Sequence, residues 1–179
     1  MGRTTPHRRR DGVRPTLARV RDALFNSLGP RIERARVLDL YAGTGALGME
    51  ALRRGAASAL FVEQSAALAA DLRRRLAIAG WADRAEVWRR DALGAIGALR
   101  GSDRTFDVIL LDPPYGRELV AATLEAIAGA GLLRPDGLVA AEGHWRDRPG
   151  EIAGLVCRRE AKYGETTLWY FQRLGGERP

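Results

Sequence analysis

The sequence predicts a doubly wound α/β sheet of seven strands, mostly parallel with an antiparallel last strand, and helices on both faces. Three observations carry this. Short apolar, β-branched runs alternate with Ala/Leu-rich helical stretches through most of the chain. A glycine-rich loop follows the first run. The run 106–112 (FDVILLD) is almost wholly apolar, as a strand buried on both faces at the centre of a parallel sheet must be.

The elements follow in order. Residues 1–15 are polar and Pro/Arg-rich and read as extended. Thr16 reads as the cap of a helix to about Leu28, because Leu17, Val20, Leu24 and Leu28 recur at helical spacing; Gly29-Pro30 ends it. Residues 36–41 (RVLDLY) are the first strand, and 45–54 a helix stopped by Gly55. A strand at 59–63 (ALFVE) precedes a long helix at 64–79, ended by Gly80. Strand 85–89, helix 92–99, strand 106–112, helix 118–130 and strand 138–142 continue the alternation. The last strands are 155–159 and 166–171, the latter alternating and aromatic. This organisation gives a basic N-terminal extension and helix at 1–30, one α/β domain at 31–175, and a disposable tail at 176–179.

The length of 179 residues fits one buried core. The longest apolar runs are far short of a membrane span, and no signal-peptide pattern opens the chain. Cys157 is the only cysteine, which excludes an internal disulfide and a cysteine-built metal site; it reads as a small buried hydrophobe. No metal site is visible. The expectation is a cytoplasmic, monomeric protein.

The charge is unevenly placed. The net charge is +7, and residues 1–36 hold ten Arg against Asp11, Asp22 and Glu33, so the whole excess lies in this first fifth. A solvated basic tail is the plain reading; an electrostatic footprint for phosphates, with Arg8, Arg9 and Arg10 at its centre, is the functional one. All but one of the 29 basic groups are Arg, Lys162 being the exception.

The first strand leads into Asp39-Leu-Tyr41-Ala-Gly43-Thr-Gly45-Ala-Leu-Gly48 and then a helix, which satisfies G-x-G-x-x-G in the right context. Glycines there let a ligand approach the backbone. Glu63, at the end of the second strand, is placed to bind ribose hydroxyls, with Gln64 beside it. That much allows either a nicotinamide dinucleotide or S-adenosylmethionine (SAM). Asp39 separates them. Its carboxylate beside the loop is unfavourable for a pyrophosphate and favourable for the sulfonium and ammonium groups of SAM. Asp91 ends the third strand before Ala92, where a carboxylate can accept from an adenine amine and the next N–H can donate to the ring. Each acid alone is an ordinary helix N-cap; three ending consecutive strands form a specific constellation.

The fourth strand ends in Asp112-Pro113-Pro114-Tyr115. Alone, Asp-Pro-Pro is a strand terminator. At the carboxyl end of the strand beside the glycine loop it faces the same crevice. A base amine is a poor nucleophile because its lone pair is delocalised into the ring. Acceptors on its two N–H groups, the Asp112 carboxylate and the Pro113 carbonyl, draw the nitrogen toward tetrahedral geometry, and the prolines aim that carbonyl in advance. Tyr115 offers a ring face on which a base can stack.

These residues resemble the class I SAM-dependent methyltransferases that act on amino nitrogens, a Rossmann-like fold. The string Arg14-Pro15-Thr16, then Arg19, Arg21 and Phe25-Asn26, with the late Lys162-Tyr163-Gly164-x-Thr166-x-Leu168, resembles the RsmD family, bacterial enzymes methylating the N2 amine of a guanine in 16S ribosomal RNA of the small subunit. The resemblance implies that Gly43 and Gly45 line the methionine part of SAM, Glu63 binds ribose and Asp91 adenine. It implies that Asp112 and Tyr115 hold the guanine, and that Arg14 and Thr16 close over the SAM carboxylate or the RNA. Members of that family begin with a further Gly- and Arg-rich strand segment, and this chain starts at about the point where that segment would end.

Other readings are an amino-group methyltransferase acting on adenine N6 or a protein glutamine, a nicotinamide-dependent oxidoreductase, and a non-catalytic RNA-binding module. The oxidoreductase lacks a suitable hydride-transfer acid, His7 lying in the tail and His144 in a loop after the fifth strand. Of the four tryptophans, Trp81, Trp88 and Trp169 read as packing residues and Trp145 as the one placed for base contact.

Overall fold

The computed structural model describes residues 15–114 and 119–175, with the backbone alone for 15–17. Its elements are α1 (Pro15–Leu28), β1 (Arg36–Leu40), α2 (Ala46–Arg53), β2 (Ser58–Glu63), α3 (Ala66–Ile78), β3 (Ala85–Arg89), α4 (Ala92–Leu99), β4 (Phe106–Leu111), α5 (Leu119–Ala130), β5 (Leu133–His144), β6 (Leu155–Tyr163) and β7 (Thr166–Arg173). The strand order is β3-β2-β1-β4-β5-β7-β6. Strands β1 to β5 pair in parallel, and β7 runs antiparallel to both β5 and β6.

The core has two layers because strand side chains alternate between faces. On one face, Val37, Phe61, Val108, Leu110 and Ala140 pack with Val20 and Leu24 of α1, Leu52 of α2 and Leu72 of α3. On the other, Leu38, Leu40, Leu60, Ile109 and Val139 pack with Ile96 of α4 and Leu124 of α5. The helices therefore lie on both faces of the sheet.

Most boundaries agree with the sequence reading to within two residues, and four points differ. Helix α1 begins at Pro15, whose ring pre-sets the helical φ, so Thr16 sits inside the first turn rather than capping it. Strand β5 begins at Leu133: its pairing with β4 jumps from Phe106–Leu133 to Val108–Leu138, and the turn-like Arg134-Pro135-Asp136 bulges out between. Strand β6 runs on to Tyr163, because β7 supplies a partner for its exposed residues. Cys157 is exposed, not buried, since β6 is the outer edge of the sheet. Trp169 is fully buried and Trp81 and Trp88 partly so, in keeping with packing roles. Among the described residues no helix is long and apolar enough to cross a membrane.

Candidate active site

A cleft of about 710 Å³ opens where β1, β4 and β5 end. β1 and β4 are neighbours whose onward connections run to opposite sides of the sheet, toward β2 and β5. Such a switch point leaves a crevice at the carboxyl ends of the strands.

The loop after β1 shapes one wall. Gly43 and Gly45 have φ of 55° and 80°, in the left-handed region that favours glycine. A Cβ on Gly45 would lie 2.3 Å from Leu72 Cδ1. Tyr41 also has a positive φ, 65°, unusual for a bulky residue. It is anchored on α5 by a 2.6 Å hydrogen bond between its hydroxyl and Thr123 Oγ1.

Asp39 is buried beneath this loop, and its carboxylate accepts from the Gly48 N–H at 2.8 Å. Burial pushes its carboxyl up to about 7; the Gly48 bond opposes that shift, and the Asp112 and Glu63 charges add to it. Glu63, also buried, accepts from the Gly43 N–H at 2.7 Å and the Ser65 N–H at 2.6 Å. A carboxylate has about four acceptor positions, so two bonds leave capacity for a ligand. Asp91 caps α4, accepting from the Gly94 N–H at 2.8 Å, and lines the cleft with Ala92 and the exposed Gln64.

Asp112, Pro113 and Pro114 follow β4 directly and line the cleft. Asp112 opens to solvent there, yet the walls enclose it enough that desolvation pushes its carboxyl up to about 6. Tyr115, Arg14, Arg8, Arg9 and Arg10 lie outside the described residues, as does the side chain of Thr16.

Sequence reasoning missed Glu142. It is a buried carboxylate of β5 that lines the same cleft. The register sets Leu111 beside Ala141, so Asp112 and Glu142 follow at the same level on neighbouring chain segments. The signal was available: an acid at the end of a parallel strand, as at Asp39, Glu63 and Asp91. Among the described residues the cleft has five carboxylates and one basic side chain, Arg90. It is an anionic cleft in a cationic chain.

Trp145 follows β5 on the same edge of the sheet and is 43% exposed. The Lys162 ammonium lies 4.8 Å and the Arg146 guanidinium 5.1 Å from its ring centroid. His144 caps the short turn at Trp145–Asp147, its Nδ1 accepting from the Arg146 N–H at 3.2 Å. Among the described residues no cluster of His, Cys, Asp and Glu is arranged to hold a metal.

Comparison with known proteins gives a consistent answer. The model of the family described as Conserved hypothetical protein 95 matches residues 1–172. The ribosomal RNA small subunit methyltransferase D of Escherichia coli K12 is 35% identical over 173 residues, 96% of this chain and 85% of that protein. Its namesake in Haemophilus influenzae is 34% identical over 149 residues, 83% of this chain and 76% of that protein. A solved Escherichia coli structure, the candidate methyltransferase yhhF, superposes with a TM-score of 0.79 at 34% identity, covering 91% of this chain and 89% of its own. A conserved hypothetical protein of Streptococcus pyogenes gives 0.78 at 34% identity, covering 88% and 98%. With matches of this length and identity over a glycine-loop cleft of the expected build, the chain belongs to the Conserved hypothetical protein 95 family, which is the RsmD family of methyltransferases.

Proposed function

We propose that this protein transfers a methyl group from SAM to the exocyclic N2 amine of a guanine in 16S ribosomal RNA. The relatives' names support ribosomal RNA as substrate class. The observation that carries the rest is the five-carboxylate cleft with Asp112-Pro113 at the switch point. That cleft is hostile to a pyrophosphate and suited to a cationic cofactor, which disfavours a nicotinamide enzyme.

In this reading Gly43 and Gly45 admit the methionine part, with Asp39 beneath its cationic end. Glu63 and Gln64 hold the ribose, Asp91 and Ala92 the adenine, and Tyr41 fixes the loop from behind. When bound, SAM supplies an electrophilic methyl group. The chain's own contribution is orientation. Asp112 and the Pro113 carbonyl accept from the two N–H groups of the target amine, Pro114 restricts the backbone beside them, and the ring of Tyr115 stacks on the base. Arg14 and Thr16 close over the site, while Arg8, Arg9 and Arg10 meet RNA phosphates. The setting is a cytoplasmic monomer acting on the small ribosomal subunit or an assembly intermediate.

The test is methyl transfer to unmethylated small subunits, read by nucleoside mass spectrometry. N2-methylguanosine is the expected product. Transfer to DNA adenine or to a protein glutamine instead would keep the cofactor site and overturn the substrate.

Two further outcomes follow. Asp39 has a folded-state pKa of about 7 against an unfolded value near 4, so folding disfavours its charged form. Its contribution to stability is full at low pH and is lost as pH rises through 7, at roughly 1.4 kcal/mol per unit within that window. Asp112, raised to about 6, adds in the same direction. Asp39→Asn should therefore flatten the fall in Tm between pH 5 and 8. In the wild type, SAM affinity should rise from pH 6 to 8 as the carboxylate ionises, and calorimetry across that range reads it. Affinity independent of pH would remove Asp39 from the cofactor's cationic end.

Trp145→Ala should weaken binding of ribosomal RNA by about tenfold, from the loss of one stacking platform, with SAM affinity unchanged. Filter binding at fixed salt reads this; equal affinity would return Trp145 to the surface.

A further inference from the structure

Three carboxylates gather in one cleft at the carboxyl edge of the sheet. Strand side chains alternate, so residues two apart share a face. Asp39 shares the face of Val37 and Glu142 that of Ala140, both in the core layer beneath α1 and α2; Asp112 follows the end of β4 two residues after Leu110 of that layer, and its charge acts on Asp39. Asp39 meets Gly48 of α2 on that side. The register then gives the heights. Asp39 pairs with Leu110, Leu110 with Ala140 and Leu111 with Ala141, so Asp112 and Glu142 are the next residues of the two neighbouring chain segments, two beyond the level of Asp39. Adjacent strands are about 4.8 Å apart, so two such carboxylates reach neighbouring positions on one base edge.

On its Watson–Crick edge guanine carries the N2 amine next to an N1–H, two donors in a row. Adenine and 2,6-diaminopurine present a lone pair at N1. An ionised carboxylate only accepts, so it pairs with N1–H and repels a bare N1. Asp112 and Pro113 satisfy the amine but cannot tell which purine bears it. The group next along the edge can.

We propose that Glu142 is the specificity-determining residue of the base site, accepting from guanine N1–H while Asp112 accepts from the N2 amine. This rests on the guanine-N2 reading above and deepens it. Two features agree with the role. Glu142 is buried yet lines the cleft, so a mismatched base would leave polar groups unpaired out of water. Gly143 beside it has no room for a side chain: a Cβ there would lie 2.9 Å from Trp169 Cζ3, so the backbone that carries Glu142 is packed closely on Trp169.

The experiment compares two substrates, small subunits reconstituted with 16S RNA carrying either guanine or 2,6-diaminopurine at the methylated position. Both offer an amine at C2; they differ at N1 and C6. The wild type should favour guanine by about tenfold to a hundredfold in kcat/KM. Glu142→Gln should keep most of the activity on guanine, because an amide oxygen still accepts from N1–H, and should narrow that preference to within about threefold, because the amide NH2 can donate to a bare N1. Glu142→Ala should lose guanine activity without a relative gain for 2,6-diaminopurine as large as that of Gln. SAM calorimetry and Tm on each variant report an intact fold. A preference unchanged in Glu142→Gln, with the wild type making N2-methylguanosine, overturns the specificity role and leaves the proposed reaction standing. A wild type that makes no N2-methylguanosine overturns that reaction, and this assignment with it.

Discussion

Asp112→Ala is expected to leave the sheet and the SAM site intact and to lower kcat for base methylation by about a hundredfold to a thousandfold, the usual cost of deleting one preorganised group that acts on the reacting centre. The fold should survive because Asp112 follows the last residue of β4 and opens to the cleft, whereas the strand's packing is carried by Val108 to Leu111. Cofactor binding should survive for a second reason. The Asp112 charge is one of the groups raising Asp39, so its removal lets Asp39 ionise at lower pH. SAM should then bind as well at pH 7 and slightly better at pH 6. Asp112→Asn separates charge from acceptor: an amide oxygen still accepts from the amine, so this variant should retain most of the rate that Ala loses. Single-turnover methylation at saturating SAM, with calorimetry alongside, reads all of this. Wild-type turnover in the Ala variant would remove Asp112 from the chemistry.

Gly48→Ala should be the most damaging single-methyl change in the cofactor loop. A Cβ at Gly48 would lie 2.2 Å from Phe61 Cε1 and 2.9 Å from Asp39 Oδ2. Phe61, on β2, is fully buried, while Asp39 is held by the Gly48 N–H itself. Overpacking of a well-filled site costs about 1–3 kcal/mol, and here it also strains the bond that seats Asp39. The expected result is a drop in Tm of several degrees with at least tenfold weaker SAM binding, by thermal melting and calorimetry. Gly97→Ala is the control. Gly97 lies within α4 with nothing inside 4 Å of the added Cβ, so the same methyl should stabilise by about 0.5–1 kcal/mol. Equal effects at both positions would mean that Gly48 is not a close-approach site.

The contrast between these glycines shows what could be read from the chain. The third glycine of G-x-G-x-x-G is legible as a close-packing position from the motif alone, but its partner Phe61 is a nonlocal contact that only the register of β1 and β2 supplies. The alternation of runs set the number of strands and the pairing of β1 with β4, because connection rules leave few topologies. Asp39, Glu63, Asp91 and Asp112 were legible as acids ending strands. Their engagement with Gly48, Gly43, Ser65 and Gly94 amides was not, since it depends on backbone direction in the loops. Glu142 was not legible because β5 has no glycine motif to mark its end, and because its place in the cleft follows from the nonlocal β4–β5 register. The extra length of β5 escaped because Pro135-Asp136-Gly137 carries turn chemistry, and a bulge uses the same residues as a turn. Cys157 was misplaced because composition favours burial of free cysteine, and edge position is not a local property.

Among the described residues the strand order also leaves β6 with one side of its backbone unpaired. An open ladder is a template on which another molecule can add a strand, and repetition of that step builds aggregates. Here the outer strand carries Arg158, Arg159, Glu160 and Lys162, all exposed. An incoming copy would have to strip water from these charges as it docked, and any parallel in-register copy would stack each beside its own kind. The same run of charge, whose far half the local pattern does not mark as strand, thus ends the sheet of the described residues at β6, and it does so by making growth at that border unprofitable rather than by covering it.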